Sequence, residues 1–144
     1  MSIQVGTQIP QFELLLAGRP YRAAPGKRGQ LLYFMRTADC PVCRAHVKRL
    51  IAIAPQLEAS GLNILVIVPE GDSEGQVAQT LKTPFPVVQG IAAHSSFGLH
   101  RKLLSLVQES GTVVYDAAGL VVHARSAINP SNAFDEDAVL ELKV

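Results

Sequence analysis

Apolar and polar positions along this chain alternate between two periods, and the switches mark its elements. Leu31-Leu32-Tyr33-Phe34-Met35 is an unbroken apolar run, too short for a helix and too uniform to have a wet face. It predicts a strand buried on both sides, and Leu62 to Val68 predicts a second. Between them, Cys43, Val47, Leu50, Ile51, Ala54 and Leu57 recur at helical spacing and form one stripe. That spacing predicts a helix from Pro41 to Ser60, with Pro41 in the first turn and Gly61 just past the end. Pro55 removes an interior hydrogen bond and is expected to kink or split it.

The remaining pattern is shorter-ranged. Phe12 to Leu16 predicts a strand, Ala17-Gly18-Arg19-Pro20 a turn, and Tyr21-Arg22-Ala23 a second short strand. Ser73 to Lys82 predicts a helix opened by Ser73 and Gln76 in capping-box spacing. Phe85-Pro86-Val87-Val88 predicts a brief strand, which its proline assigns to a sheet edge. Residues 91–107 are mixed and helical in part. Residues 111–115 and 120–123 predict a hairpin around Asp116-Ala117-Ala118-Gly119. Phe134 to Leu142 predicts a closing helix with Asp135, Glu136 and Asp137 at its positive end. The order is β-α-β-α-β, hairpin, helix: an α/β chain whose sheet is covered on both faces, read as one domain over residues 1–144.

Composition supports a filled core, with 48% hydrophobic and 17% charged residues among 144. A net charge of +1 supplies no field to recruit nucleic acid or anionic lipid. No signal-peptide pattern opens the chain and no apolar run approaches a bilayer span, so a cytoplasmic address and no membrane partner are expected.

Both cysteines fall in one tetrapeptide, Cys40-Pro41-Val42-Cys43, between the first buried strand and the long helix. A helix start presents unpaired backbone N–H groups, which favour a thiolate over a thiol. Cys40 stands ahead of the helix at its exposed end and reads as the nucleophile; Cys43 begins the buried stripe and reads as the resolving thiol. Arg36, Arg44, Lys48 and Arg49 add positive potential and Asp39 opposes it. The Thr37 hydroxyl either donates to the thiolate or simply ends the strand. Such a pair serves thiol–disulfide exchange or peroxide reduction equally, and the residues do not choose between them. Two rivals remain, a structural pair and a zinc site extended by His46; zinc wants four ligands, and there is no second cysteine pair. His94, His100 and His123 read as surface or hydrogen-bonded residues.

These residues resemble the thioredoxin-fold superfamily, and within it the peroxiredoxin-like group (alkyl hydroperoxide reductase/thiol-specific antioxidant). Gly6-Thr7-Gln8-Ile9-Pro10-Gln11-Phe12-Glu13-Leu14 looks like the group's opening G-x-x-x-P-x-F-x-L, and Thr112 to Gly119 like its T-x-x-x-D-x-x-G hairpin. Leu32 to Arg36 followed by Cys40 to Arg44 is similar to its strand and active helix, and Pro84 to Val88 with Phe97-Gly98-Leu99 to its later strand and helix. The resemblance implies a thioredoxin-like three-layer sandwich, with a central mixed sheet, helices on both faces and a peroxiredoxin-type N-terminal extension. It implies an oxidoreductase that uses Cys40 and Cys43, supported by Thr37 and Arg36, with no metal or organic cofactor. A disulfide or peroxide substrate, a reducing partner such as thioredoxin or a small thiol, and homodimerisation come with it. The chain departs from the group at two points. Tyr33 stands where the pattern P-x-x-x-T-x-x-C has proline, and Ser110 where an arginine often precedes the hairpin threonine. Nor does Glu109-Ser110-Gly111 supply the cis-proline of thioredoxin proper.

Overall fold

The computed structural model describes residues 3–102 and 107–142. The chain opens with β1 (Glu13–Leu16) and β2 (Arg19–Tyr21), a hairpin turned by Ala17 and Gly18 alone. Both turn residues have positive φ, 52° and 77°, the two-residue geometry that matches strand twist. The turn is therefore tighter than the four residues expected, and Pro20 lies in β2. That strand forms the sheet edge, where a missing N–H costs no ladder bond.

β3 (Gly29–Phe34), α1 (Pro41–Ala59) and β4 (Leu62–Val68) follow as the sequence predicts. α1 runs unbroken through Pro55, so the expected split does not occur. Its stripe is Cys43, Val47, Leu50, Ile53, Ala54 and Leu57, with Ile51 only half-buried. Gly61 ends it at φ +91°, a conformation that strains any residue with a Cβ. α2 (Glu74–Leu81) is capped by Ser73, whose hydroxyl accepts from the Gln76 amide at 3.2 Å.

β5 (Val87–Ile91) corrects the edge assignment. It lies between β1 and β4, antiparallel to the first and parallel to the second. Pro86 precedes the strand, so the ladder loses no donor, and its carbonyl accepts from Val66. α3 (Ala93–Ser96) is the helical part of the mixed segment, followed by β6 (Arg101–Lys102) and β7 (Val107–Gln108); residues 103–106 lie outside the described residues. β8 (Ser110–Asp116) and β9 (Val121–Ala127) form the predicted hairpin, its turn held by Asp116 Oδ1 accepting from Ala118 and Leu120. α4 (Glu136–Leu140) is capped by Asp135 and is shorter than expected.

The strands run β2-β1-β5-β4 and β3-β8-β9. β3 lies beside β4, with the Met35 amide donating to Ile67 at 2.9 Å, so the two parts form one mixed layer. Alternation along β3 divides the core. Leu31, Tyr33 and Met35 join α1, Val77 of α2 and Val139 of α4 on one face. Leu32 and Phe34 join Ala93 of α3 and Phe97 on the other. Among the described residues, no helix is long and apolar enough to cross a membrane. Leu50 is wholly enclosed between α1 and the sheet. Leu50→Ala should lower the unfolding free energy by about 3 kcal/mol in urea titration, through lost burial plus the cavity left behind.

Candidate active site

Cys40 is the N-cap of α1: its φ of −61° and ψ of 116° are extended, and its Sγ accepts from the Cys43 amide at 3.3 Å. The Cys40 carbonyl opens the helix ladder by accepting from Arg44 at 2.9 Å. Cys43 lies one turn on, its sulfur accepting from the Arg36 amide at 3.3 Å. Both sulfurs are free thiols and both residues are buried, Cys40 at 2% exposure and Cys43 at 0%. The exposed position expected for Cys40 is thus corrected. The loop folds its sulfur under the first turn, while Asp39, Pro41 and Val42 are the exposed residues around it.

The Cys43 thiol holds its proton for a physical reason. Burial pushes the Cys43 pKa up to about 12, reinforced by its hydrogen bond with Cys40 and opposed by the Arg36 amide and Tyr33. Cys43 therefore keeps a proton at neutral pH.

Residues 35–40 are tied by hydrogen bonds along most of their length. His94 Nε2 meets the Met35 carbonyl at 2.8 Å, and Asp72 Oδ2 accepts from the Ala38 amide at 2.8 Å. Arg44 Nε donates to the Ala38 carbonyl at 2.8 Å, and the Cys40 amide donates to Thr37 at 3.3 Å. The Thr37 hydroxyl donates to Asp39 Oδ1 at 2.8 Å, so of its two expected roles it takes the loop-shaping one. Arg36 acts on the pair through its backbone; its Nε is buried without a hydrogen-bond partner among the described residues. Ser110, at the position of the group's arginine, is fully buried, its hydroxyl without a hydrogen-bond partner among the described residues.

Behind Cys43 sits a second set that sequence reasoning did not assign to the site. The Tyr33 hydroxyl lies 2.7 Å from His46 Nδ1, and Tyr33 shares one buried cluster with Cys43, where each group alters the other's proton affinity. His46 is thus turned toward Tyr33, and among the described residues no three His, Cys, Asp or Glu side chains are grouped to hold a metal ion. Asp72, His94 and Tyr33 do not stand out in the sequence because their contacts cross between elements, whereas Arg44, expected only to add positive potential, also holds the loop. Only the parity of Tyr33, Met35 and the α1 stripe could have flagged Tyr33. His100 is exposed, and His123 is half-buried with its Nε2 unpartnered.

His94 makes the loop pH-sensitive. Burial lowers its pKa from 6.5 to about 4 against the opposing Met35 carbonyl and Asp72, so it is neutral at pH 7 and donates from Nε2. The unfolded chain takes the proton first on acidification. Stability should therefore fall as pH drops from 6.5 to about 4 and level off below, by about 3 kcal/mol in total. Urea unfolding at pH 7 and pH 4.5 reads this loss, and His94→Gln should remove most of it.

Comparison with known proteins bears on the fold and the family. Among solved structures, peroxidoxin BcpB from Mycobacterium tuberculosis superposes with a TM-score of 0.75 at 22% identity, covering 94% of this chain and 90% of its own. The bacterioferritin comigratory protein of Xanthomonas campestris, described for its alkyl peroxide reduction activity, gives 0.70 at 18% identity, covering 93% and 95%. A peroxiredoxin-like protein from Aquifex aeolicus gives 0.76 at 14% identity, covering 96% and 84%. At these identities the likeness establishes a thioredoxin-like peroxiredoxin fold. No curated protein matches the chain. The profile of the AhpC/TSA family matches residues 5–124, most of the sequence, and the chain belongs to that family of peroxiredoxin-like thiol oxidoreductases.

Proposed function

We propose that this protein reduces peroxides, with Cys40 as nucleophile and Cys43 as resolving thiol. The observation that carries the choice of peroxide over a protein disulfide is the 2% exposure of Cys40 at a tied loop. A small peroxide, or another small oxidant, needs only a narrow approach past Asp39 and Val42, whereas a disulfide on another protein, and a protein reductant in its turn, needs the loop to open. Family membership and the alkyl peroxide activity of the Xanthomonas protein support the same substrate class. The unpartnered Arg36 Nε supports a role for that side chain at the peroxide, in place of the arginine missing at Ser110.

The chemistry balances without a cofactor. The Cys40 thiolate attacks one peroxide oxygen, the O–O bond breaks, and the alcohol or water leaves with a proton, giving Cys40 sulfenic acid. Cys43, as thiolate, attacks the Cys40 sulfur; the S–S bond forms and the S–O bond breaks, releasing water. Two thiol equivalents, from thioredoxin or a small thiol, restore the pair. The expected cytoplasmic address provides such reductants, and homodimerisation belongs to the same reading.

Cys40→Ser should abolish peroxide consumption. Cys43→Ser should still consume one equivalent and stop as a sulfenic acid that a dimedone-type probe labels, while the parent protein forms a disulfide instead. Mass spectrometry after one equivalent of alkyl hydroperoxide distinguishes these states. Peroxide consumption surviving in Cys40→Ser would overturn the assignment.

A further inference from the structure

Cys43 has a difficulty that its surroundings address. It must lose a proton to attack, yet it is fully enclosed and burial holds the proton on it. Around its sulfur lie the Arg36 amide, which only donates, and, in the same buried cluster, the Cys40 sulfur, which becomes the electrophile, and Tyr33, whose hydroxyl alters the thiol's proton affinity. Tyr33 also meets His46 Nδ1 at 2.7 Å. His46 lies three residues after Cys43, so both face β3 from the same side of α1. Tyr33 is fully enclosed, whereas His46 is half-buried and reaches solvent. Phe134 packs on both rings, with centroids 6.1 Å and 5.4 Å away, and covers the contact.

Resting on the reading of Cys43 as the resolving thiol, we propose that Tyr33 and His46 form a proton relay that carries the Cys43 proton out of the core as the disulfide closes. The Cys43 S–H gives its proton to the Tyr33 oxygen, and the Tyr33 proton passes to His46 Nδ1. Thiol and neutral imidazole become thiolate and imidazolium, and no electron moves. Afterwards the Tyr33 hydroxyl donates to the thiolate and His46 Nδ1–H donates to Tyr33, so the chain is hydrogen-bonded in both states. The thiolate then attacks Cys40, and the proton on His46 is available to the departing hydroxide or to solvent. Tyr33 touches a reacting atom and is catalytic in this step; His46 acts through Tyr33.

His46 enters the step without a proton. Burial lowers its proton affinity below the ordinary histidine value, so it is neutral at pH 7. Tyr33 faces it from β3 and Phe134 from the segment before α4, both uncharged at that pH. Nearby charges are engaged elsewhere: Arg49 of α1 holds Glu136 of α4 at 2.6 Å, and Arg125 of β9 approaches Asp135 at 3.8 Å.

The test uses dithiobis(nitrobenzoate) in single turnover. Attack by Cys40 releases one thionitrobenzoate, and displacement by Cys43 releases the second, so the resolving step is read without any peroxide. Tyr33→Phe and His46→Gln should retain the first release and slow the second at least tenfold at pH 7. The parent's second release should fall on acidification as His46 gains a proton, and that acid limb should vanish in both variants. A second release with the parent's rate and pH profile in Tyr33→Phe overturns the relay; if that variant does not fold, the same result in His46→Gln does. Failure of the underlying reading looks different: two equivalents released by Cys43→Ser, or only one by the parent protein.

Discussion

A thiol at a helix start is useful only if the backbone leading to it holds one shape, since the first turn aims its amides in one direction. In this protein that constraint falls on the six residues between β3 and α1. Met35 is held by His94 from α3 and by Ile67 from β4, Ala38 by Asp72 from the β4–α2 connection and by Arg44 from α1, and Arg36 by the Cys43 sulfur. Each bond contributes about 1 kcal/mol on its own. Together they come from every element around the loop, so moving the loop requires several to break at once. The position of Cys40 is thus a property of the whole fold.

The same ties fix where the two sulfurs lie. Folding Cys40 beneath the first turn brings it against Cys43, whose amide and thiol both point toward it. Cys43, deeper in the stripe that packs on β3, holds its proton because ionising there would strand a charge in the core. Burial, and not the identity of the residue, keeps the proton on Cys43.

The fold was legible because its strongest signals are local. Two uniformly apolar strands flank a helix with one unbroken stripe, and β3, α1 and β4 fall where that pattern puts them. Errors arose where a local rule met a tertiary solution. Pro86 suggests an edge, but it sits one residue ahead of β5 and leaves an interior ladder intact. Pro55 suggests a break, but α1 continues because its buried face packs on both sides of it. The cysteine pair was equally visible, whereas its depth was not, since nothing in Cys-Pro-Val-Cys specifies how the preceding loop folds. The loop's supports, Asp72 and His94, are separated from it by 34 and 59 residues and become neighbours only through the sheet.

Tyr33 shows how one departure from the family pattern changes the rest of the site. A proline at this position of β3 carries no polar atom into the core. A tyrosine does, and a buried hydroxyl without a partner is costly. The partner comes from α1, where the spacing Cys40-x-x-Cys43-x-x-His46 resembles a ligand series in sequence but in three dimensions is one helical face turned to the strand. Phe134 then seals that contact from the far side. Replacing either polar partner alone would leave the other unsatisfied beside a buried thiol, which couples Tyr33 and His46 to each other and both to Cys43. The hydroxyl is therefore part of the cysteine chemistry, and this protein's route for a resolving proton runs through a residue its relatives' pattern does not provide.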